Sequence, residues 1–203
     1  MGDYTFLDVT HVFFLEFIQK NLEQSGARAT TEALMNTAVE VADRFPVVDF
    51  AGMAEFIEAI DDLRNPIARI EGRAEHLGGG LFALNRCPFA ESVRNYHKVH
   101  GEPPALAAII DAFNQPSEAT ARHHVGHGAA VCAFCAVHQT LRAAVSGRIT
   151  VGGKPVRVSQ LGCKAASGDV SIADRFVAEV GVPRDRVAQI LKERVCCYAV
   201  LPG

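Results

Sequence analysis

The chain has 203 residues, 49% hydrophobic and 21% charged, the balance of one ordinary globular domain or of one domain with a helical extension. No run of about 18 apolar residues occurs, which argues against a transmembrane helix. A formal charge of −3, from 23 acids against 20 bases, argues against a mainly electrostatic binder of nucleic acid or of membrane surfaces. The opening residues, MGDYTFLDVT, carry acid where a secretory signal carries base, so the cytoplasm is the expected compartment.

The N-terminal third is helical by pattern. Phe6, Val9, Phe13, Phe17 and Ile18 recur at three- and four-residue steps between Thr5 and Glu23, and Ser25-Gly26 ends that helix. Thr30 or Thr31 is placed to cap a second helix with the stripe Leu34, Ala38, Val41 and Ala42, stopped by Pro46. Asp49 is placed to cap a third, burying Met53, Phe56, Ile57 and Ile60. That helix ends at Asn65-Pro66, because the residue before proline avoids the helical region.

The period then changes to two. From Ile67 to Leu77, Arg69, Glu71, Arg73 and Glu75 share one face, while Ala68, Ile70, Gly72, Ala74 and His76 share the other. The segment is expected to be a strand with one charged face; on its other face His76 is expected to be a buried, paired histidine. Gly78-Gly79-Gly80 turns the chain into a second strand, Leu81 to Arg86, which delivers Cys87-Pro88-Phe89 and a helix to about Val99. Ala105 to Phe113 reads as a short helix, and Glu118 to Val145 as mostly helix, weakened by Gly126 and Gly128. A hairpin pairs Ile149–Val151 with Val156–Val158 and runs on to Cys163. Ser171 and Asp174 form a capping box opening a helix to Val180; Gly181 ends it, Pro183 starts another, and Val195 to Leu201 is strand-like. The expected fold is α+β: an N-terminal helical cap, residues 1–65, packed on an antiparallel sheet with surrounding helices, residues 66–203.

Cysteine usage carries the functional signal. Six Cys and eight His in a reducing compartment point to metal or thiol chemistry before disulfides. Cys132-x-x-Cys135 lets two thiolates meet one metal ion or form a redox pair. Structural zinc needs two more ligands, and the candidates are Cys87, at a strand-to-helix corner, and Cys163, at a strand end. The set Cys87, Cys132, Cys135 and Cys163 suits zinc or a [4Fe–4S] cluster. Adjacent Cys196 and Cys197 point to opposite faces of a strand, so at most one could join the set. His97, His100 and His138 are candidate proton carriers should the metal keep an open position. The spacing of His123, His124 and His127 on the same predicted helix also suits a ligand set, although buried cysteine as plain core is the competing explanation for Ala129 to Val137.

The hairpin Ile67 to Arg86 running into Cys87-Pro88-Phe89 resembles bacterial small-molecule-binding proteins of the 4-vinyl reductase type. It is also similar to the L-2-amino-thiazoline-4-carboxylic acid hydrolase-like group over Arg69 to His100. The resemblance implies an α+β fold with a ligand pocket, and Cys87 as metal ligand or reactive thiol.

The expected function is a cytoplasmic metal-binding protein, zinc or iron–sulfur, whose cysteine site borders an apolar small-molecule pocket, in a sensor or binding role. A metal- or cysteine-dependent hydrolase is the first alternative. The second is a helix-turn-helix DNA regulator built on Ile172 to Arg194, with Arg184, Arg186 and Lys192 facing DNA; the chain's acidity argues against nucleic acid. A small-molecule ligand and a homo-oligomer are both compatible with the leading expectation.

Overall fold

The structure is a computed structural model that describes residues 6–61, 74–87, 94, 96, 104–114, 131, 133–164, 168 and 170–202. Helix α1, Phe6–Ala42, covers both predicted N-terminal helices. They meet at Gly26, whose φ of 80° and ψ of 166° interrupt the helical path, a conformation that glycine adopts without a Cβ penalty. The second helical stretch resumes before Thr30 and Thr31, so these threonines are buried inside it and do not cap it. Their hydroxyls have no hydrogen-bond partner among the described residues.

Asp49 also departs from expectation. It lies in strand β1, Val48–Phe50, and accepts a hydrogen bond from Thr150 of the paired strand β4, Ile149–Val151. Sheet pairing of a β-branched segment here prevails over local capping. Helix α2, Met53–Asp61, is instead opened by Glu55, whose carboxylate accepts the Ala51 backbone N–H at 2.7 Å. The first 65 residues are therefore not wholly helical, because β1 belongs to the sheet.

Strands β2, Glu75–Gly78, and β3, Leu81–Leu84, form the glycine hairpin. Gly80 has φ +75, and a Cβ there would stand 2.6 Å from Val200 O, so this turn requires glycine to approach the neighbouring strand. His76 is exposed, not buried: β2 is the last strand of the sheet among the described residues, and the His76 ring lies over Phe82 with centroids 4.9 Å apart. Residues 62–73, which hold most of the predicted strand Ile67–Leu77, lie outside the described residues, as does the predicted helix after Pro88 apart from helical Arg94 and Tyr96.

Helix α3, Pro104–Asn114, matches its expected span. Helix α4, Ala133–Ser146, covers the C-terminal part of the helix read from Glu118 to Val145; Val131 is not helical, so the predicted helix is not continuous, and residues 118–130 lie outside the described residues. Strand β5, Lys154–Lys164, is longer than the pattern suggested and pairs with β6, Val170–Ile172. Ser171 thus lies in a strand, and the residue before helix α5, Asp174–Val180, is Ala173, with no side-chain cap. Gly181 closes α5 in the left-handed conformation, and Pro183 precedes helix α6, Arg184–Glu193. Strand β7, Cys196–Pro202, ends the described chain.

The fold is α+β, around a mixed sheet ordered β1-β4-β5-β7-β3-β2 with β6 on β5. Only β1 and β4 run parallel among its described pairs. One face carries Phe82, Leu84, Val156, Val158, Cys196, Tyr198 and Val200, with α2 contributing Phe56 and Ala59 to the same core. Alternation sends Ala83, Cys197 and Ala199 to the other face, where α5 and α6 bury Phe176, Val177, Val187, Ile190 and Leu191. The α5–α6 unit is thus a helical hairpin seated on the sheet, with Arg184 paired to Asp174 at 2.8 Å. Helix α4 packs on β5, and α1 packs on α3 and α4 as an outer layer. Among the described residues no helix is long and apolar enough to cross a membrane.

Candidate metal centre

Strands β3, β7 and β5 are neighbours, and Leu84, Cys196 and Cys163 are directly paired across them. Cys87 follows three residues after the end of β3, beyond that same end of the sheet. The first turn of α4 contains Cys135. Four cysteines that are remote in sequence are therefore placed by strand order and by α4 toward one end of the fold.

The direction of Cys163 depends on an irregularity in β5. Val156, Val158 and Gln160 alternate regularly opposite Pro202, Val200 and Tyr198. The register then shifts between Gln160 and Gly162, leaving Leu161 as the extra residue. After this bulge Gly162 pairs with Cys197 and Cys163 with Cys196. A β-bulge re-aims the side chains that follow it. Without it, Cys163 would share the α6 face; with it, Cys163 shares the face of Cys196, on which α4 lies. Gln160 braces the bulge, since its Nε2 donates to Gly162 O at 2.8 Å and to Cys196 Sγ at 3.0 Å.

The result is a close thiol pair. Cys135 Sγ and Cys163 Sγ share a hydrogen bond at 3.5 Å, and Gln139 Nε2 donates to Cys135 Sγ at 3.2 Å. Cys163 is only 7% exposed, and both sulfurs are free of disulfides. Arg142, one turn beyond Gln139 and 3% exposed, donates to Gln160 Oε1 and places its guanidinium 4.5 Å from the centre of the Tyr198 ring. These groups hold the Cys135 thiol far below its ordinary range, at about 6. The hydrogen bond with Cys163 contributes most, helped by the Gln139 amide, the Val131 backbone and the Arg142 charge, while burial opposes them. Cys135 is thus biased toward the thiolate, the form that binds metal and attacks disulfides.

Of the expected site residues, Cys135 and Cys163 are brought together, and Cys87 lies at the same end of the sheet, half-buried. Cys132 immediately precedes α4 but lies outside the described residues, as do His97, His100, His123, His124 and His127. His138 is half-buried on α4, three residues past Cys135. Among the described residues no group of three or more Cys, His, Asp or Glu is arranged to hold a metal ion. Cys197 is on the opposite face, where burial pushes its thiol up to about 11.

The sequence does not single out Gln139, Arg142 or Gln160 as site residues, and it offers Cys196 only as one of the adjacent pair with Cys197. Gln139 and Arg142 follow Cys135 by four and seven residues, one face of a helix, and both are polar at buried positions of an apolar segment. Gly162 inside an apolar strand is the signal for the bulge. Comparison with family models, with curated proteins and with solved structures gives no match, so the resemblance at the Cys87 corner rests on the sequence alone.

Proposed function

We propose that this protein is a zinc-binding protein whose ion is held by Cys135 and Cys163 together with Cys132 and Cys87. The site is closed, and its role is structural or sensing. The observation that supports this is the 3.5 Å approach of two thiols 28 residues apart in sequence. Two thiolates on one tetrahedral zinc, with Zn–S about 2.3 Å, stand about 3.8 Å apart, so the pair needs to open by only a few tenths of an ångström. In a [4Fe–4S] cluster each cysteine holds its own iron, which spreads the sulfurs further than this pair; the spacing favours a single ion.

The surroundings agree with that assignment. A thiolate is the ligand form, and Cys135 is poised in it. The Gln139 amide donates to its sulfur, and the Arg142 charge offsets part of the negative charge that four thiolates would bring. The depth of Cys163 favours a closed site over one that admits water, and hence a sensor or binding role over a hydrolase using His138. Free thiols in such number suit the cytoplasm.

Elemental analysis of reduced protein, purified without oxygen, tests the assignment. One zinc per chain is expected, lost in Cys135→Ser and in Cys163→Ser. Metal-free protein with all six cysteines reacting freely with a thiol reagent would overturn it.

A further inference from the structure

We propose that, when no metal holds them, Cys135 and Cys163 form a reversible disulfide, so that the oxidisable pair of this protein joins α4 to β5 and does not close the Cys132–Cys135 motif. This deepens the metal-site proposal, because the same two sulfurs are used, but it does not require the ion. The sequence motif points to Cys132 as the partner of Cys135; among the described residues, the sulfur that the fold puts beside it is that of Cys163.

The two sulfurs are in contact. The sulfurs stand 3.5 Å apart, and a disulfide at about 2.05 Å requires them to approach by roughly 1.5 Å, within reach of small side-chain rotations. Two features keep the pair in place. The bulge at Leu161 directs Cys163 toward α4, and the Gln139 amide, four residues along the same helix, holds Cys135 Sγ. The next sulfur on the sheet, Cys196, is engaged by Gln160 Nε2 at 3.0 Å. The two members of the pair also differ in access: Cys135 is half-buried on the first turn of α4, while Cys163 is buried.

That difference assigns the steps. The oxidant is a low-molecular-weight disulfide such as oxidised glutathione. Cys135, as thiolate, attacks one sulfur of it; an S–S bond forms to Cys135, and one glutathione thiolate leaves. Cys163 then gives up its proton and attacks Cys135 Sγ, and the second glutathione thiolate leaves. Two protein thiols are oxidised and one glutathione disulfide is reduced to two thiols. In the zinc-loaded protein the same exchange removes two of the proposed ligands, so the ion is released.

The test uses the full chain, stripped of metal by a chelator and incubated with oxidised glutathione. Remaining thiols are then alkylated and the protein is digested with trypsin without reduction. Cys132 and Cys135 fall in one peptide, residues 123–142, and Cys163 in another, residues 158–164. The expected product is these two peptides joined, with fragmentation placing the bond at Cys135, and release by dithiothreitol. Cys163→Ala is expected to accumulate the mixed glutathione disulfide on Cys135. A bond from Cys132 to Cys135, or no link between the two peptides, would overturn the proposal. Metal analysis of the reduced protein separates the two proposals: a link without zinc retains this one and rejects the zinc site, and zinc without a link does the reverse.

Discussion

Replacing Cys163 with Ala should raise the Cys135 thiol toward its ordinary range in the metal-free protein. Cys135 sits at about 6 against an ordinary 9.0, and the hydrogen bond with Cys163 is the largest cause. A thiol of pKa 6 is about 90% thiolate at pH 7, and one of pKa 9 about 1%. A reaction rate at one pH is nevertheless a poor readout. Full recovery of 3 pK units would cut the thiolate fraction about 90-fold, but each thiolate would become roughly 20-fold more nucleophilic at a Brønsted slope of about 0.4–0.5. The two changes largely offset one another and leave a rate only about 3–6-fold lower. The pH midpoint of alkylation separates them, because it reports ionisation alone. With iodoacetamide, and modification read at Cys135 by peptide fragmentation, the parent midpoint should fall near 6 and the Cys163→Ala midpoint at least about one unit higher. Cys163→Ser keeps a donor and should lie between. Identical midpoints in the parent and Cys163→Ala would refute the claim that Cys163 sets the state of Cys135.

Other outcomes follow from the same structure. Gly80→Ala places a Cβ 2.6 Å from Val200 O at φ +75, and should cost about 1–3 kcal/mol in denaturant unfolding; an unchanged midpoint would show that β3 and β7 do not meet as described. Gly162→Val meets Leu191 Cδ1 at 2.6 Å and Ser171 O at 3.1 Å, and should cost about 1–3 kcal/mol by overpacking. It should also disturb the bulge, so the Cys135 midpoint should rise with it. Because the folded pKa of Cys135 is depressed, its stabilising contribution to the metal-free fold is complete above about pH 9 and is lost as pH falls through 6. Cys197 has the opposite sign: its raised pKa contributes below about pH 9, and that contribution is lost as pH rises through 11. Thermal unfolding of Cys135→Ser should therefore lose the parent's rise in stability between pH 6 and 9, and Cys197→Ala should lose the decline above pH 9.

The parts legible in the sequence are those set by local pattern. The glycine hairpin at 78–80, helix α3, the Gly181 helix end and the final strand follow from periodicity and turn chemistry, and the structure has them close to where the residues place them. The failures are places where long-range pairing prevailed over a local preference. Asp49 and Ser171 are good caps in isolation, yet each lies in a strand because β4 and β5 offer it a partner. His76 shares a face with apolar residues in the pattern, but alternation does not reveal that β2 ends the sheet among the described residues. The site divides along the same line. Cys135 and Cys163 are visible as residues, but their meeting requires a bulge that reverses the alternation of β5 and a helix that returns along that strand. The buried polar residues that support them, Gln139, Arg142 and Gln160, sit in segments whose apolar neighbours mask them.

On the proposed assignment, sulfurs from α4 and β5 share one ion. X-ray absorption at the zinc edge of the reduced, zinc-loaded chain tests it most directly. A single shell of four sulfurs at about 2.3 Å is predicted, with the ion lost when Cys163 is replaced by Ser. A shell dominated by nitrogen or oxygen, or four sulfurs retained in Cys163→Ser, would contradict it.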